Sequence, residues 1–379
     1  MKTELFKKLQ QITEQNLIDI ETHKQNGNHA IGFYCLYAPT EMAIAADAIP
    51  LPLCGTRNDP IEAAEEVLPR NLCALIKSSY GFAASDTCPF FRFSDMIVAD
   101  TTCDGKKKMF ELMSEIKPVH VLQLPQQQNM NLFLDPWKNE IIQLKKEVES
   151  LTGKEITEEK INQAIQLLNR ERRALKRLMD VTKAKPSPLT GMELIEILFK
   201  IGFFADKEKG IDLINEIADA CESLVTKGET PYTVKTPRIL MTGVPVGLGS
   251  DKVIKIIEES GANVVAFENC SGYKKAFQVD ESKDPFTALA EQYLSIPCSV
   301  MSPNQGRIEL LEEMITEFSV DGVVDLTWQA CHTYNIEAHQ IRQFVTDRFN
   351  LPYLHIETDY SESDTEQLRV RIEAFLEMI

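Results

Sequence analysis

The sequence predicts an α/β fold: two doubly wound, Rossmann/flavodoxin-like parallel-sheet domains, a helical middle section and an amino-terminal helix. Three observations carry this. Short apolar runs of strand length alternate with helical segments in the first third and again in the last third. Between them, residues 138–230 keep helical spacing with no strand-like run. A chain of 379 residues with 44% hydrophobic content can fill the cores of two or three domains. The expected domains are 1–136, 137–234 and 235–379.

Residues 4–26 read as a helix, and Ala30–Cys35 as a buried strand. Pro39 and Glu41 open a helix through Ala48, and Ile49–Leu53 is a second strand. Asp95–Asp100 and Val119–Leu124 follow. Their continuous apolar character fits strands covered on both faces of a parallel sheet. In the middle section Ile141, Leu144, Val148 and Leu151 share one helical face, as do Ile161, Ile165 and Leu168. Thr157 is placed to cap the second of these helices, with Glu158 and Glu159 in its first turn. Thr190-Gly-Met-Glu193 has capping-box spacing. The strand rhythm returns with Ile239–Thr242, Asn263–Phe267, Gly322–Thr327 and Pro352–Ile356, and Cys298–Met301 reads as a further short strand. Asp251–Ser260 is the first helix of this half.

Net charge is −17, which repels phosphate backbones and argues against a nucleic-acid partner. It fits simple solubility or electrostatic steering of a protein partner. No apolar run approaches the ~18–20 residues that cross a bilayer, so no membrane partner is expected. The first residues form an amphipathic pattern rather than a secretory leader. A cytoplasmic location follows as the expectation, with reduced thiols and no disulfides.

The chemistry resides in nine cysteines. Cys35, Cys103, Cys270 and Cys331 follow strands, at the sheet edge where open parallel sheets build their sites. Cys73 and Cys88 stand at helix starts, where free N–H groups and the helix dipole favour a thiolate. Soft thiolates in this number suit iron–sulfur chemistry. Tight Cys-x-x-Cys pairs are absent, which argues against a structural zinc site. Cys221 lies inside a helical run and reads as packing. Cys54 and Cys298 flank proline-rich segments and are alternates to the six.

Other motifs carry less. Thr242-Gly-Val-Pro-Val-Gly-Leu-Gly-Ser250 lacks the Gly-Lys-Ser/Thr ending of a nucleotide loop and reads as a tight strand–helix turn. His332 and Glu41 are the candidate catalytic proton donors; a structural hydrogen bond and a helix-start preference are their plainer readings. Lys77, with Ser78 and Ser79, is placed to screen a negative cluster, whereas Lys106–Lys108 reads as a solvated helix face.

On Tyr34-Cys-Leu-Tyr-Ala-Pro-Thr-Glu41, Ala45–Pro50, Asn71–Gly81, Thr101-Thr-Cys-Asp-Gly105, Gln329-Ala-Cys-His332 and Tyr353–Asp359, the chain resembles the 2-hydroxyacyl-CoA dehydratase / benzoyl-CoA reductase superfamily. The dehydratase pattern implies one 4Fe-4S cluster, here on Cys73, Cys103 and Cys331. The additional Cys35, Cys88 and Cys270 resemble the double-cubane cluster proteins. That branch implies an 8Fe-9S cofactor with three cysteines on each half, so the implied ligands are Cys35, Cys73, Cys88, Cys103, Cys270 and Cys331. The resemblance further implies an anaerobic, homodimeric oxidoreductase. It would reduce small molecules with low-potential electrons from a separate ATP-hydrolysing iron–sulfur reductase. A dehydratase subunit with a single 4Fe-4S cluster is the alternative enzyme. A cluster carrier or redox sensor is the non-enzymatic one.

Overall fold

A computed structural model describes residues 2–53 and 55–379. Cys54 therefore lies outside the described residues. The first part comprises α1 (Lys2–Gln25), β1 (Ala30–Tyr34), α2 (Glu41–Ala45), β2 (Ile49–Leu53), α3 (Ile61–Glu65), α4 (Ala74–Ala84), α5 (Pro89–Phe93), β3 (Met96–Asp100), α6 (Asp104–Met113) and β4 (Val119–Leu122). A helical section follows: α7 (Met130–Thr152), α8 (Glu158–Asp180), α9 (Gly191–Gly202) and α10 (Lys207–Lys227). The last part holds β5 (Arg238–Gly243), α11 (Lys252–Glu259), β6 (Asn263–Phe267), α12 (Pro285–Leu294), α13 (Gln305–Glu317), β7 (Gly322–Trp328), α14 (His332–Phe349), β8 (Tyr353–Thr358) and α15 (Thr365–Leu376).

Each half builds a four-stranded parallel sheet, in the orders β2-β1-β3-β4 and β6-β5-β7-β8. The two orders are the same when strands are counted within each half. Both reverse direction beside their first strand, so each offers a switch-point crevice at its carboxyl edge. Pro50 and Pro52 sit in β2, an edge strand, where a missing N–H costs no ladder bond on the open side.

The first sheet is buried on both faces. Ile31, Phe33, Met96 and Val98 join one apolar cluster, while Tyr34, Ile97 and Ala99 join another. Successive side chains point to opposite faces, so burying both requires the unbroken apolar runs seen in the sequence. The larger cluster continues without a break into Ile239, Leu240, Val264, Val323 and Ile356 of the second sheet. Helices α8, α9 and α10 contribute Leu178, Ile195, Ile214 and Cys221 to it.

Local signals hold at the helix starts. The Thr157 side chain accepts the Lys160 N–H, and Thr190 with Glu193 forms a complete capping box. One expected strand is absent. Cys298–Met301 is a turn, closed by Met301 N–H to Cys298 O at 2.9 Å and by Asn304 Nδ2 to the same oxygen at 3.0 Å. Pro297 and Pro303 bracket the segment and remove the donors a ladder would need.

Candidate functional site

The first group of cysteines is built from three helix starts. Cys73, Cys103 and Cys331 are the N-cap residues of α4, α6 and α14. Each cap leaves backbone N–H groups that the helix cannot use. Cys103 Sγ accepts from the Lys106 amide at 3.5 Å. The nearby Leu75 and Ile76 amides favour the Cys73 thiolate, and the Thr333 side chain and Tyr334 amide favour that of Cys331, without a cap hydrogen bond at either. A left-handed Ala330 (φ 65°) turns the chain out of β7 to set Cys331.

These three thiols feel one another. The mutual interaction of the Cys73 and Cys331 thiols lowers the pKa of Cys73 and raises that of Cys331. Burial raises Cys103, which the charge of Cys331 pushes further up.

The second group comes from three loops. Cys35 leaves β1 with φ 71°. Cys270 follows β6, and Cys298 occupies the turn after α12. Burial pushes Cys35 well up, and Asp100, Cys270 and Cys298 add to it. Burial likewise pushes Cys270 up to about 12; Lys274 opposes this and Cys298 reinforces it. Tyr37 stands beside the same three sulfurs and donates to Ile296 O at 2.8 Å.

The glycine-rich loop serves this group. Gly243 has φ 105°, and a Cβ there would lie 2.0 Å from Leu326 O. The loop beyond it is stitched to the Cys270 loop. Val246 N–H donates to Ser271 Oγ at 2.9 Å, and Asn269 Nδ2 donates to Val244 O at 2.9 Å.

Cys88 is not brought together with the others. Helix α4 begins at Cys73 on the carboxyl edge of the sheet and carries the chain back over 11 residues, about 16 Å, to the amino edge. Cys88 caps α5 there, ahead of β3. Burial, the Phe90 and Phe91 amides and Asp86 set its protonation, with no cysteine among them. Cys298, an alternate to the six that the resemblance implies, stands with Cys35 and Cys270 instead. Cys221 is buried in the main core, where burial raises it to about 12.

Two other candidates are redefined. Glu41 is wholly buried; its Oε1 meets Arg172 Nη2 at 2.8 Å and its Oε2 accepts from Tyr293 at 2.8 Å. With both oxygens taken by donors, the carboxylate is an acceptor in a clamp between α2, α8 and α12 rather than a proton donor. Lys77 is spent on Glu65 Oε1 at 2.8 Å and Arg70 O at 3.1 Å, and Ser78 and Ser79 hold the 55–57 loop. His332 is exposed at the first position of α14.

The cations beside the thiols are others. Lys106 is 13% exposed at its side chain, with Nζ 3.6 Å from Asp100 Oδ1. Burial alone would lower its pKa; Asp100, Cys35, Cys103 and Cys298 outweigh burial and raise it. Lys274 is 1% exposed and lies 2.6 Å from Glu268 Oε1, an ion pair whose alignment is not that of a hydrogen bond. Lys106 lies at i, i+3, i+4, i+7 spacing with Met109, Phe110 and Met113, the buried face of α6. That spacing was the available signal for it; exposed Lys107 and Lys108 mask it.

The donor set can be tested against a metal group. Among the described residues, no three His, Cys, Asp or Glu side chains close around a single ion. A multi-iron core makes a different demand, since each thiolate binds its own iron and the sulfurs stand apart. Two sets of three free cysteines, two buried ammonium groups and a buried Tyr334 hydroxyl lacking a partner fit that demand.

Known proteins resemble this chain along nearly its whole length. The family described as 2-hydroxyglutaryl-CoA dehydratase, D-component, matches residues 35–379. A protein of Escherichia coli strain K12, provisionally named dehydratase subunit YjiM, is 45% identical over 99% of this chain and 98% of its own. The (R)-phenyllactyl-CoA dehydratase beta subunit of Clostridium sporogenes is 24% identical over 94% of this chain and 93% of its own. One of the benzoyl-CoA reductase subunits of Thauera aromatica is 22% identical over 82% of this chain and 77% of its own.

Proposed function

The chain belongs to the 2-hydroxyacyl-CoA dehydratase / benzoyl-CoA reductase superfamily, and within it we propose an iron–sulfur reductase component that carries an 8Fe-9S double-cubane cluster. The observation that carries the reading is the sorting of six cysteines into two triads. Cys73, Cys103 and Cys331 would hold one half, and Cys35, Cys270 and Cys298 the other. Such a cluster supplies low-potential electrons, here delivered by a separate ATP-hydrolysing iron–sulfur reductase, to a small molecule.

The chain's own residues do the rest. The helix-start positions of the first triad would favour thiolates once iron is bound, against the interactions that raise Cys103 and Cys331 without it. Lys106 and Lys274 offset part of the negative charge that six thiolates bring. Tyr37, 0% exposed, keeps water from the second triad. His332 stands exposed beside Cys331, open to a visiting molecule. The reading carries a homodimer and a reducing, anaerobic cytoplasm with it.

Anaerobic purification followed by iron and acid-labile sulfide analysis tests it. The expected count is about eight irons per chain. Four or fewer overturns the proposal. Substrate reduction that needs the chain, its reductase and ATP together would exclude a passive cluster carrier.

A second reading draws on the dehydratase subunits among the relatives. In it Cys73, Cys103 and Cys331 hold a single 4Fe-4S cluster, and the chain pairs with an unlike partner chain. The alpha subunits of two such dehydratases also resemble this chain at 22% identity. About four irons and direct binding of an acyl-CoA would select this reading.

A further inference from the structure

Two residues connect the triads, and they occupy equivalent positions. Lys106 lies three residues beyond the N-cap Cys103, and Tyr334 three beyond the N-cap Cys331. At this position the backbone N–H faces the cap side chain, and the Lys106 amide donates to Cys103 at 3.5 Å. Tyr334 holds the matching position behind Cys331, and both cysteines are members of the first triad.

Their side chains extend to the second triad. The Lys106 ammonium interacts with Cys35, Cys270 and Cys298. It leans over the Phe110 ring at 5.7 Å, and its Asp100 contact of 3.6 Å is longer than a hydrogen bond. The Tyr334 ring lies 4.9 Å from the Arg307 guanidinium carbon, and its hydroxyl neighbours Cys270 and Cys298. That hydroxyl is buried with no hydrogen-bond partner among the described residues, and the residue is 5% exposed. A buried O–H without an acceptor is costly, so this one marks a place where an acceptor belongs.

We propose that Lys106 and Tyr334 are paired positioning residues of the junction between the triads, each placed three residues behind an N-cap cysteine of the first triad and presenting its side-chain donor to an anionic acceptor held between both. The proposal rests on the double-cubane reading, in which that acceptor is inorganic sulfide. No bond is made or broken by either residue. They lend hydrogen bonds and positive charge to sulfur, which favours the reduced state and raises the reduction potential.

The test uses the full chain purified anaerobically as wild type, Lys106→Met, Lys106→Arg, Tyr334→Phe and the exposed control Lys107→Met. Iron content, the electron paramagnetic resonance spectrum of the dithionite-reduced protein and the midpoint potential are read for each. Wild type and Lys107→Met are expected to match at about eight irons. Tyr334→Phe and Lys106→Met should shift the potential to more negative values and alter the spectrum, and Lys106→Arg should recover most of the shift. Loss of iron from Lys106→Met that Lys106→Arg restores also supports the role. Wild-type potential and spectrum in both Lys106→Met and Tyr334→Phe, at full iron content, overturns it. A wild-type count of four or fewer irons sinks the cofactor reading itself, and the junction with it.

Discussion

The Cys73 and Cys331 thiols act on one another, lowering the pKa of Cys73 and raising that of Cys331, although one caps a helix on the first sheet and the other a helix on the second. That coupling links the two halves at one point. It also makes the cysteines separable by experiment.

Serine replacement one cysteine at a time should divide them into classes. Cys298→Ser is expected to lose at least about half of the bound iron, as Cys270→Ser does, whereas Cys88→Ser keeps the wild-type content. Iron per chain after anaerobic purification checks this. Equal losses from Cys88→Ser and Cys298→Ser would contradict the division into triads.

The clamp of Glu41 and Arg172 should matter for stability. Arg172→Met strips the cation from a wholly buried carboxylate and leaves it the Tyr293 hydroxyl. Removing one member of a buried ion pair costs roughly 3–5 kcal/mol. Tyr293→Phe, which keeps the ion pair, should cost only about 1–2 kcal/mol. Urea unfolding of the three proteins gives the order.

Gly243→Ala should be among the most damaging small changes in the chain. Its Cβ meets a backbone oxygen at 2.0 Å, where no side chain can yield, and its φ of 105° is hostile to alanine. A loss of about 3 kcal/mol or more is expected. Part of the damage should appear at Cys270, through the displaced loop, as faster alkylation in the metal-free protein. Unchanged Cys270 reactivity would uncouple the two loops.

Asp95 is one of the carboxyls that contribute to acid stability. Burial alone would raise the pKa of Asp95, but the Lys24 ammonium, the Ala30 N–H and His29 outweigh it and the pKa is lowered. A carboxyl lowered on folding adds stability that is complete above its ordinary value of 3.8 and is lost as pH falls through the lower folded value. Asp95→Asn should therefore flatten the acid limb of a stability–pH curve and lower the plateau above it. A curve parallel to wild type below pH 5 would count against this.

Much of the fold was legible because single elements carried agreeing signals. Ile49–Leu53 and Asn263–Phe267 are strands at the expected residues, and the Thr190 capping box is complete. The candidate site was legible where a cysteine both left a strand and opened a helix, as Cys103 and Cys331 do. Cys88 also opens a helix, but a helix start alone does not say which edge of the sheet it occupies. Cys298 looked extended because Ser-Val-Met follows it, and its position depends on tertiary bonds to Asn304 that no local pattern encodes. Lys106 was hidden by its neighbours in a charge run, although its spacing from Met109 and Phe110 turns it inward.

The larger apolar cluster passes from Leu9 and Tyr34 in the first half to Trp328 and Phe375 in the second without interruption. Prising the halves apart like a jaw would strip oil-like surface into water across that whole seam, at about 25 cal/mol for each Å² exposed. If the two sulfur sets hold one cluster as proposed, their spacing is thus a fixed gauge, machined into the core, and a visitor would have to be small enough to enter as it stands or be met at its rim.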